Sequence, residues 1–280
     1  MIKRALMLTV AAAALAGAPA HAATITGCDS TNTTDYTDIT TKVTVPVCTA
    51  EANKGAPGNI VIETNGSVVA AGPTGSNTLV PAATIDSNNI ITNKGTIQFT
   101  GVTNAIGVQL DTGNTGALDN QGTIDLQGSG TGKIGIFITA PTTATSTVFT
   151  GVPLPNAAAP LTTNTAIDLE AGSTLEVTGD DSTGIELDAG STTTPNSVAG
   201  NILINGAITM APTSTTSSGG EIGVDLAGAL NGNFTVGTTG TIGVSGANSE
   251  GYVQTGILTG AFINEGSISA SGEITSSTNT

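Results

Sequence analysis

The phrase NKGTIQF at residues 93–99 is the strongest indication of the fold, because it returns as NQGTIDL at residues 120–126 and as NEGSISA at residues 264–270. Looser copies of the same frame lie between them. Aligned on the residue after the glycine-like position, the copies start at Ser67, Thr96, Thr123, Thr174, Ala207, Thr241 and Ser267. A phrase that recurs about every 30 residues is typical of a chain that stacks similar units.

Each copy of the phrase alternates between apolar and polar positions, which is the pattern of a strand with one buried face. The second residue of the aligned frame is always aliphatic, and the fourth is mostly apolar. The aliphatic positions are Val68, Ile97, Ile124, Leu175, Ile208, Ile242 and Ile268. These side chains are predicted to face the interior.

A second alternating phrase follows the first after 10 to 16 residues, as in GVQL at 107–110 and GIFI at 135–138. A third apolar patch, such as Ile202 with Ile204, precedes each return to the first phrase. One period of three short strands cannot bury its apolar face alone, whereas a stack of such periods can. The sequence therefore predicts an all-β fold, a right-handed parallel β-helix (β-solenoid) of about seven three-stranded rungs.

The asparagine of the repeated phrase is predicted to stand at the corner between the third strand of one rung and the first strand of the next. Asparagine tolerates left-handed backbone geometry, and its amide can bond to the amide of a neighbouring rung. The predicted corner ladder consists of Asn65, Asn93, Asn120, Asn205 and Asn264.

Three segments depart from the repeat. Residues 1–22 carry Lys3 and Arg4, an apolar run and a small-residue end, which indicates a secretory signal peptide. Residues 23–58 are predicted to form an N-terminal cap, and residues 59–280 the solenoid. Residues 141–165 are rich in proline and threonine, and they are predicted to form a protruding loop.

Cys28 and Cys48 are the only cysteines of the chain. Export to an oxidising compartment favours a disulfide between them, and closing such a loop would stabilise the fold by about 3 kcal/mol. Two thiols without a histidine make a poor zinc site.

Without the signal peptide, the chain keeps four lysines and 21 acidic residues, a net charge of −17, and it has no arginine or histidine. This charge argues against a nucleic-acid partner.

The candidate acid–base residues of a carbohydrate-active enzyme are Asp180, Asp181, Glu186, Asp188 and Asp225. A solvent-facing turn is the simpler interpretation of Asp180 and Asp181. No calcium-binding repeat is present in the sequence, and no cofactor is predicted.

The repeats NKGTIQFTG, NQGTIDLQG and NEGSISASG, alternating with AIGVQLDTG and EIGVDLAG, resemble the passenger-domain repeats of bacterial autotransporters of type V secretion. The resemblance covers residues 60 to about 272. It implies a secreted or surface-exposed passenger, often with a structural or adhesive role in attachment or biofilm, although some passengers are enzymes or toxins. We expect no enzymatic activity, because β-helical lyases and hydrolases commonly place arginine, lysine or histidine near the site, and without residues 1–22 the chain has no arginine or histidine. The alternative is a β-helical polysaccharide lyase or hydrolase.

The resemblance also implies a partner, an outer-membrane β-barrel translocator that lies in a downstream segment or in a separate chain. Host surfaces, abiotic surfaces and other copies of the chain are further candidate partners. With a translocator we expect the protein at the cell surface, and without one we expect it in the periplasm.

Overall fold

The computed structural model describes residues 33–70, 80–100, 102–140, 146–154, 164–213 and 220–272. In these ranges the chain forms 26 β-strands, one short 3-10 helix (Thr49–Glu51) and no α-helix. The strands build three parallel sheets in which each strand pairs with the equivalent strand of the next turn of the chain. The predicted parallel β-solenoid is therefore confirmed.

Strands are numbered in chain order. The first sheet contains β1 (Asp38–Ile39), β4 (Ile60–Ile62), β7 (Ile90–Asn93), β10 (Thr115–Asn120), β14 (Thr165–Leu169), β18 (Asn201–Ile204), β22 (Phe234–Val236) and β25 (Phe262–Asn264). The second sheet contains β2 (Lys42–Val43), β5 (Ser67–Val69), β8 (Thr96–Thr100), β11 (Thr123–Gln127), β15 (Thr174–Thr178), β19 (Ala207–Ala211), β23 (Thr241–Ser245) and β26 (Ser267–Ser271). The third sheet contains β3 (Val47–Cys48), β6 (Val80–Ile85), β9 (Ala105–Asp111), β12 (Ile134–Thr139), β16 (Thr183–Leu187), β20 (Ile222–Leu226) and β24 (Glu250–Gln254).

The stack has eight rungs, one more than predicted, because residues 38–48 form a first rung inside the segment expected to be a separate cap. There β1 pairs with β4, β2 with β5 and β3 with β6, all in parallel. The three strands are only two residues long. Strands this short carry no visible alternation, so the repeat cannot be detected there from sequence.

Three of the middle rungs each contain a fourth, short strand. These strands are β13 (Val148–Gly151), β17 (Ser197–Ala199) and β21 (Ala229–Asn231), and they pair with one another in that order. The first half of β10 pairs with β13 and its second half with β14. Part of the predicted protruding loop is thus a strand of the first sheet, because Phe149 is buried in the core and its neighbours bond to β10 and β17. Residues 141–145 and 155–163 of that loop lie outside the described residues.

The interior is filled by columns of aliphatic side chains that repeat once per rung. The predicted column from Val68 to Ile268 pairs residue by residue across β5, β8, β11, β15, β19, β23 and β26. Its members are buried up to Ile242 and half-buried at Ile268. The inward face of the repeated phrase is therefore confirmed.

The glycine of the phrase is required by close approach of the backbones at the corner. A Cβ atom on Gly95 would lie under 3.0 Å from the carbonyl oxygen of Gly66, and one on Gly122 equally close to that of Gly95. Real Cβ atoms essentially never approach that near to a heavy atom. Thr41 and Ser173 occupy the equivalent positions before β2 and β15, so the column of glycines has two exceptions.

The corners between the first and second sheets come in two lengths. Long corners span residues 63–66, 170–173 and 237–240, and each closes with a backbone hydrogen bond from its last N–H to its first carbonyl. Short corners, such as residues 94–95 and 121–122, are two residues shorter. Three of the five short corners follow an asparagine, whereas the other two follow Ile39 and Ile204, and all three long corners follow an aliphatic residue. Asparagine therefore ends a strand of the first sheet only where the corner is short.

Candidate functional site

The outer face of the second sheet presents columns of hydroxyl groups, and we call it the hydroxyl face. In the first rung the position of its first column is taken by the charged Lys42, which pairs with Ser67. In the next seven rungs the first column is uncharged and consists of Ser67, Thr96, Thr123, Thr174, Ala207, Thr241 and Ser267, which pair in register. All seven residues are partly or fully exposed. The Thr174 hydroxyl donates to that of Thr123 at 3.2 Å. Since neighbouring parallel strands lie about 4.8 Å apart, hydroxyls recur along the face at that interval.

Each of the three sheets also carries one in-register pair of carboxylates on its outer face. The pairs are Asp119 with Asp168, Asp125 with Glu176, and Glu186 with Asp225. Like charges directly opposite each other in a sheet are destabilising. The hydroxyl column and the carboxylate pairs occupy the outward positions of the strands. The inward positions of the same strands are the apolar ones that predicted the fold. Aligning those outward letters is the sequence signal that would have identified them.

The pair on the third sheet includes two of the residues predicted as enzymatic candidates. Burial, then the charges of Asp225 and Asp188, raise the pKa of Glu186 to about 8. Burial and Glu250 raise the pKa of Asp225. A carboxyl group that stays protonated near neutral pH can donate a proton, as a general acid does. The structure thus brings Glu186, Asp188 and Asp225 together.

Asp180 and Asp181 lie instead at the corner between β15 and β16. The Asp180 carboxylate accepts hydrogen bonds from the backbone N–H of Thr213 at 3.0 Å and from the Thr213 hydroxyl at 3.2 Å. Asp181 adopts a left-handed backbone with φ of 53°. These contacts tie one corner to the next and match the turn interpretation.

The predicted five-membered asparagine ladder is wrong in its extent. Asn93 and Asn120 are fully buried and in register, and the Asn93 amide donates to Oδ1 of Asn120 at 2.7 Å. Asn65 is exposed in a long corner, and Asn205 lies one residue past the column. Asn264 is exposed, and its Oδ1 accepts from the Gly266 N–H at 3.2 Å.

The buried column explains why the ladder stops at two members. Its positions in the other rungs are Ile39, Ile62, Leu169, Ile204, Val236 and the exposed Asn264, which pairs with Val236 and not with another asparagine. Asn93 and Asn120 therefore face the core, and none of the five asparagines has the left-handed backbone on which the prediction rested. Their amides serve the short corner: Asn93 donates to the Thr123 carbonyl at 3.1 Å and Asn120 to the Gly122 carbonyl at 3.3 Å.

We expect replacement of one asparagine to lower the free energy of unfolding by more than half of the loss caused by replacing both. Asn93→Leu leaves the Asn120 carbonyl oxygen buried without its donor, a loss of about 1–3 kcal/mol. In the double variant with Asn120→Leu, leucine joins the apolar column between Ile62 and Leu169. Urea denaturation of both single variants and the double variant gives the coupling energy. Additive losses would contradict a paired role.

The cysteine prediction is only partly within the described residues. Cys48 is buried on β3, and no free cysteine occurs among the residues described. Cys28 lies outside the described residues, so its pairing with Cys48 stays a prediction.

Lys133 is a buried cation that the sequence analysis missed. Its ammonium donates to the carbonyls of Gln127 at 3.0 Å, Gly128 at 2.8 Å and Thr178. Burial lowers its pKa to about 8, and the charge of Asp125 opposes this change. Lys133 thereby joins the end of β11 to the end of β15 in the next rung.

Within the described ranges, no three histidine, cysteine, aspartate or glutamate side chains are placed to hold a metal ion together. The same ranges contain no helix with the length and hydropathy of a membrane span. No protein-family model, no curated protein and no solved structure matches the chain.

Proposed function

We propose that this chain is a secreted, surface-exposed structural solenoid with an adhesive role, of the kind found in autotransporter passengers, and that it attaches through the hydroxyl face. The observation that carries the proposal is the in-register column that places a threonine or serine side chain on six of the eight strands of the second sheet. A repetitive surface suits a repetitive ligand, because each rung can add one equivalent contact.

Insoluble polysaccharide is the ligand class that fits this face. Hydroxyl groups both donate and accept hydrogen bonds, as sugar hydroxyls do. Each bond contributes only about 1 kcal/mol. Many bonds from one rigid scaffold add up, because the solenoid does not lose further conformational entropy as each additional bond forms. Without residues 1–22 the chain has four lysines and 21 acidic residues, a net charge of −17, which repels polyanions such as nucleic acid.

Export in this proposal uses residues 1–22 as the signal peptide and an outer-membrane translocator as partner. The location is then the cell surface.

We expect the purified chain to sediment with insoluble cellulose or chitin, and Thr96→Val with Thr241→Val to weaken that binding at least tenfold. Valine keeps the shape and the strand preference of threonine but loses the hydroxyl, so about 1 kcal/mol is lost at each position. The control is Thr183→Val with Thr235→Val, which removes two hydroxyls from the outer faces of the third and first sheets. Equal binding by both double variants, or no binding by the unmodified chain, would contradict the proposal.

A second candidate function, a β-helical carbohydrate-active enzyme, is favoured by the raised pKa of Glu186 beside Asp225. It is tested by the release of new reducing ends from the same polysaccharides. Turnover that is lost in Glu186→Gln and kept in Glu176→Gln, an exposed glutamate of the second sheet, would support the enzyme over the adhesin.

A further inference from the structure

The carboxylate pair of the first sheet differs from the other two pairs in how completely it is buried. Asp119 is 2% exposed and Asp168 is 3% exposed. The two residues are partners in the parallel register of β10 and β14, so their side chains leave the same face of adjacent strands. Two negative charges on neighbouring buried side chains repel each other strongly, because little water screens them.

Each of the two carboxylates also has one oxygen without a hydrogen-bond partner. Oδ1 of Asp119 and Oδ1 of Asp168 are both buried and unpartnered. The other oxygen of Asp119 accepts from the Gln121 amide at 2.9 Å. A buried acceptor without a donor costs about 1–3 kcal/mol, more when it is charged. The pair therefore lacks one donor, which a single proton would supply.

The charged and polar groups around the pair do not neutralise it. Glu170 adds a third negative charge next to Asp168, whereas Lys94 from the neighbouring rung lies near Asp119. The ammonium of Lys94 is already engaged with the Glu63 carboxylate at 3.1 Å. The remaining polar groups, at Thr92, Gln121 and Asn205, are neutral.

We propose that Asp119 and Asp168 share one proton, and that this carboxyl–carboxylate pair is a pH-sensitive lock between the fourth and fifth rungs. One proton taken from solvent changes the charge of the pair from −2 to −1. The protonated oxygen then donates to the unpartnered oxygen of the other residue. Loss of the proton restores the repulsion and leaves both oxygens without a donor, which weakens the contact of β10 with β14.

The direction of the pH effect follows from the electrostatics. Burial, then Glu170 and Asp119, raise the pKa of Asp168 to about 7, and burial also raises that of Asp119. An unfolded aspartate titrates near 3.9, so the folded chain holds the extra proton between about pH 4 and pH 7. Stability contributed by the pair is present at low pH and is lost as the pH rises through about 7.

Asp168→Asn tests the lock, because the asparagine amide is a permanent donor in place of the shared proton. We expect the melting temperature of the unmodified chain to fall by several degrees between pH 5.5 and pH 8.5. In Asp168→Asn the melting temperature at pH 8.5 should be higher and the pH dependence smaller. Asp38→Asn is the control, since it removes the same charge from an exposed site. A pH dependence in Asp168→Asn equal to that in Asp38→Asn would overturn the proposal.

Carbon-13 NMR of the aspartate carboxyls in the unmodified chain provides a second test that needs no variant. A proton-sharing pair titrates in two steps separated by more than one pH unit. Two carboxyls that both titrate near pH 4 would refute the lock.

Melting curves with 5 mM calcium chloride or with EDTA show whether a proton or a metal ion lies between the two carboxylates. Stabilisation by calcium that is lost in Asp168→Asn would show that the pair holds a cation instead.

Discussion

Ile208→Asn is expected to lower the free energy of unfolding by about 4 kcal/mol, the largest effect of a single substitution that we predict. Ile208 is buried on β19, with Leu175 below it and Ile242 above it in the same column. Replacement removes an aliphatic side chain from a packed core and leaves an amide there without partners, and the two losses add.

The matched control is Thr209→Asn, which places the same side chain on the opposite face of the same strand. Thr209 is exposed between Glu176 and Gly243. We expect a loss below about 1 kcal/mol there, arising from strand preference alone. Urea denaturation measures both, and hydrogen exchange should place the damage in the rungs next to β19, because rungs of a solenoid contact only their neighbours. Similar losses at the two positions would show that the inward and outward faces are misassigned.

Gly122→Ala is expected to cost about 2–4 kcal/mol although it adds only one methyl group. That methyl would lie under 3.0 Å from the carbonyl oxygen of Gly95, an atom of the backbone that cannot move without disturbing the corner below it. Overpacking against a fixed group forces the two rungs apart and weakens the hydrogen bonds between β8 and β11.

Gly243→Ala is the control for this effect. A Cβ atom on Gly243 would meet nothing closer than 3.9 Å, and it would point outward from β23. Alanine in a strand loses less backbone freedom on folding than glycine does, so we expect a neutral or slightly stabilising change. Thermal melts of the two variants, which have identical composition, compare the corner with the open face directly. Equal melting temperatures would mean that the corner glycines are not held by close backbone approach.

The solenoid and its interior follow from the amino-acid sequence alone. Alternation within a strand is a local property, and the phrase from Asn93 to Phe99 repeats it with the same aliphatic positions in every copy. Any parallel stack of these strands buries Ile97, Ile124 and Leu175 in one column. The fold class and the inward residues could therefore be predicted without knowing how the rungs meet.

Which outward and corner residues meet depends on how the rungs align in three dimensions. Corner length sets the register between rungs, and two inserted residues move an asparagine out of the column, as happens at Asn65. The first rung and strand β13 also escaped prediction, because short strands form there only through pairing with neighbours. The opposition of Asp119 and Asp168 arises in the same way: it joins residues 49 positions apart in sequence, and it exists because β10 and β14 align across the extra strand β13. Local alternation fixes the side of the sheet on which a residue lies, whereas its neighbour on that side depends on every insertion between two rungs.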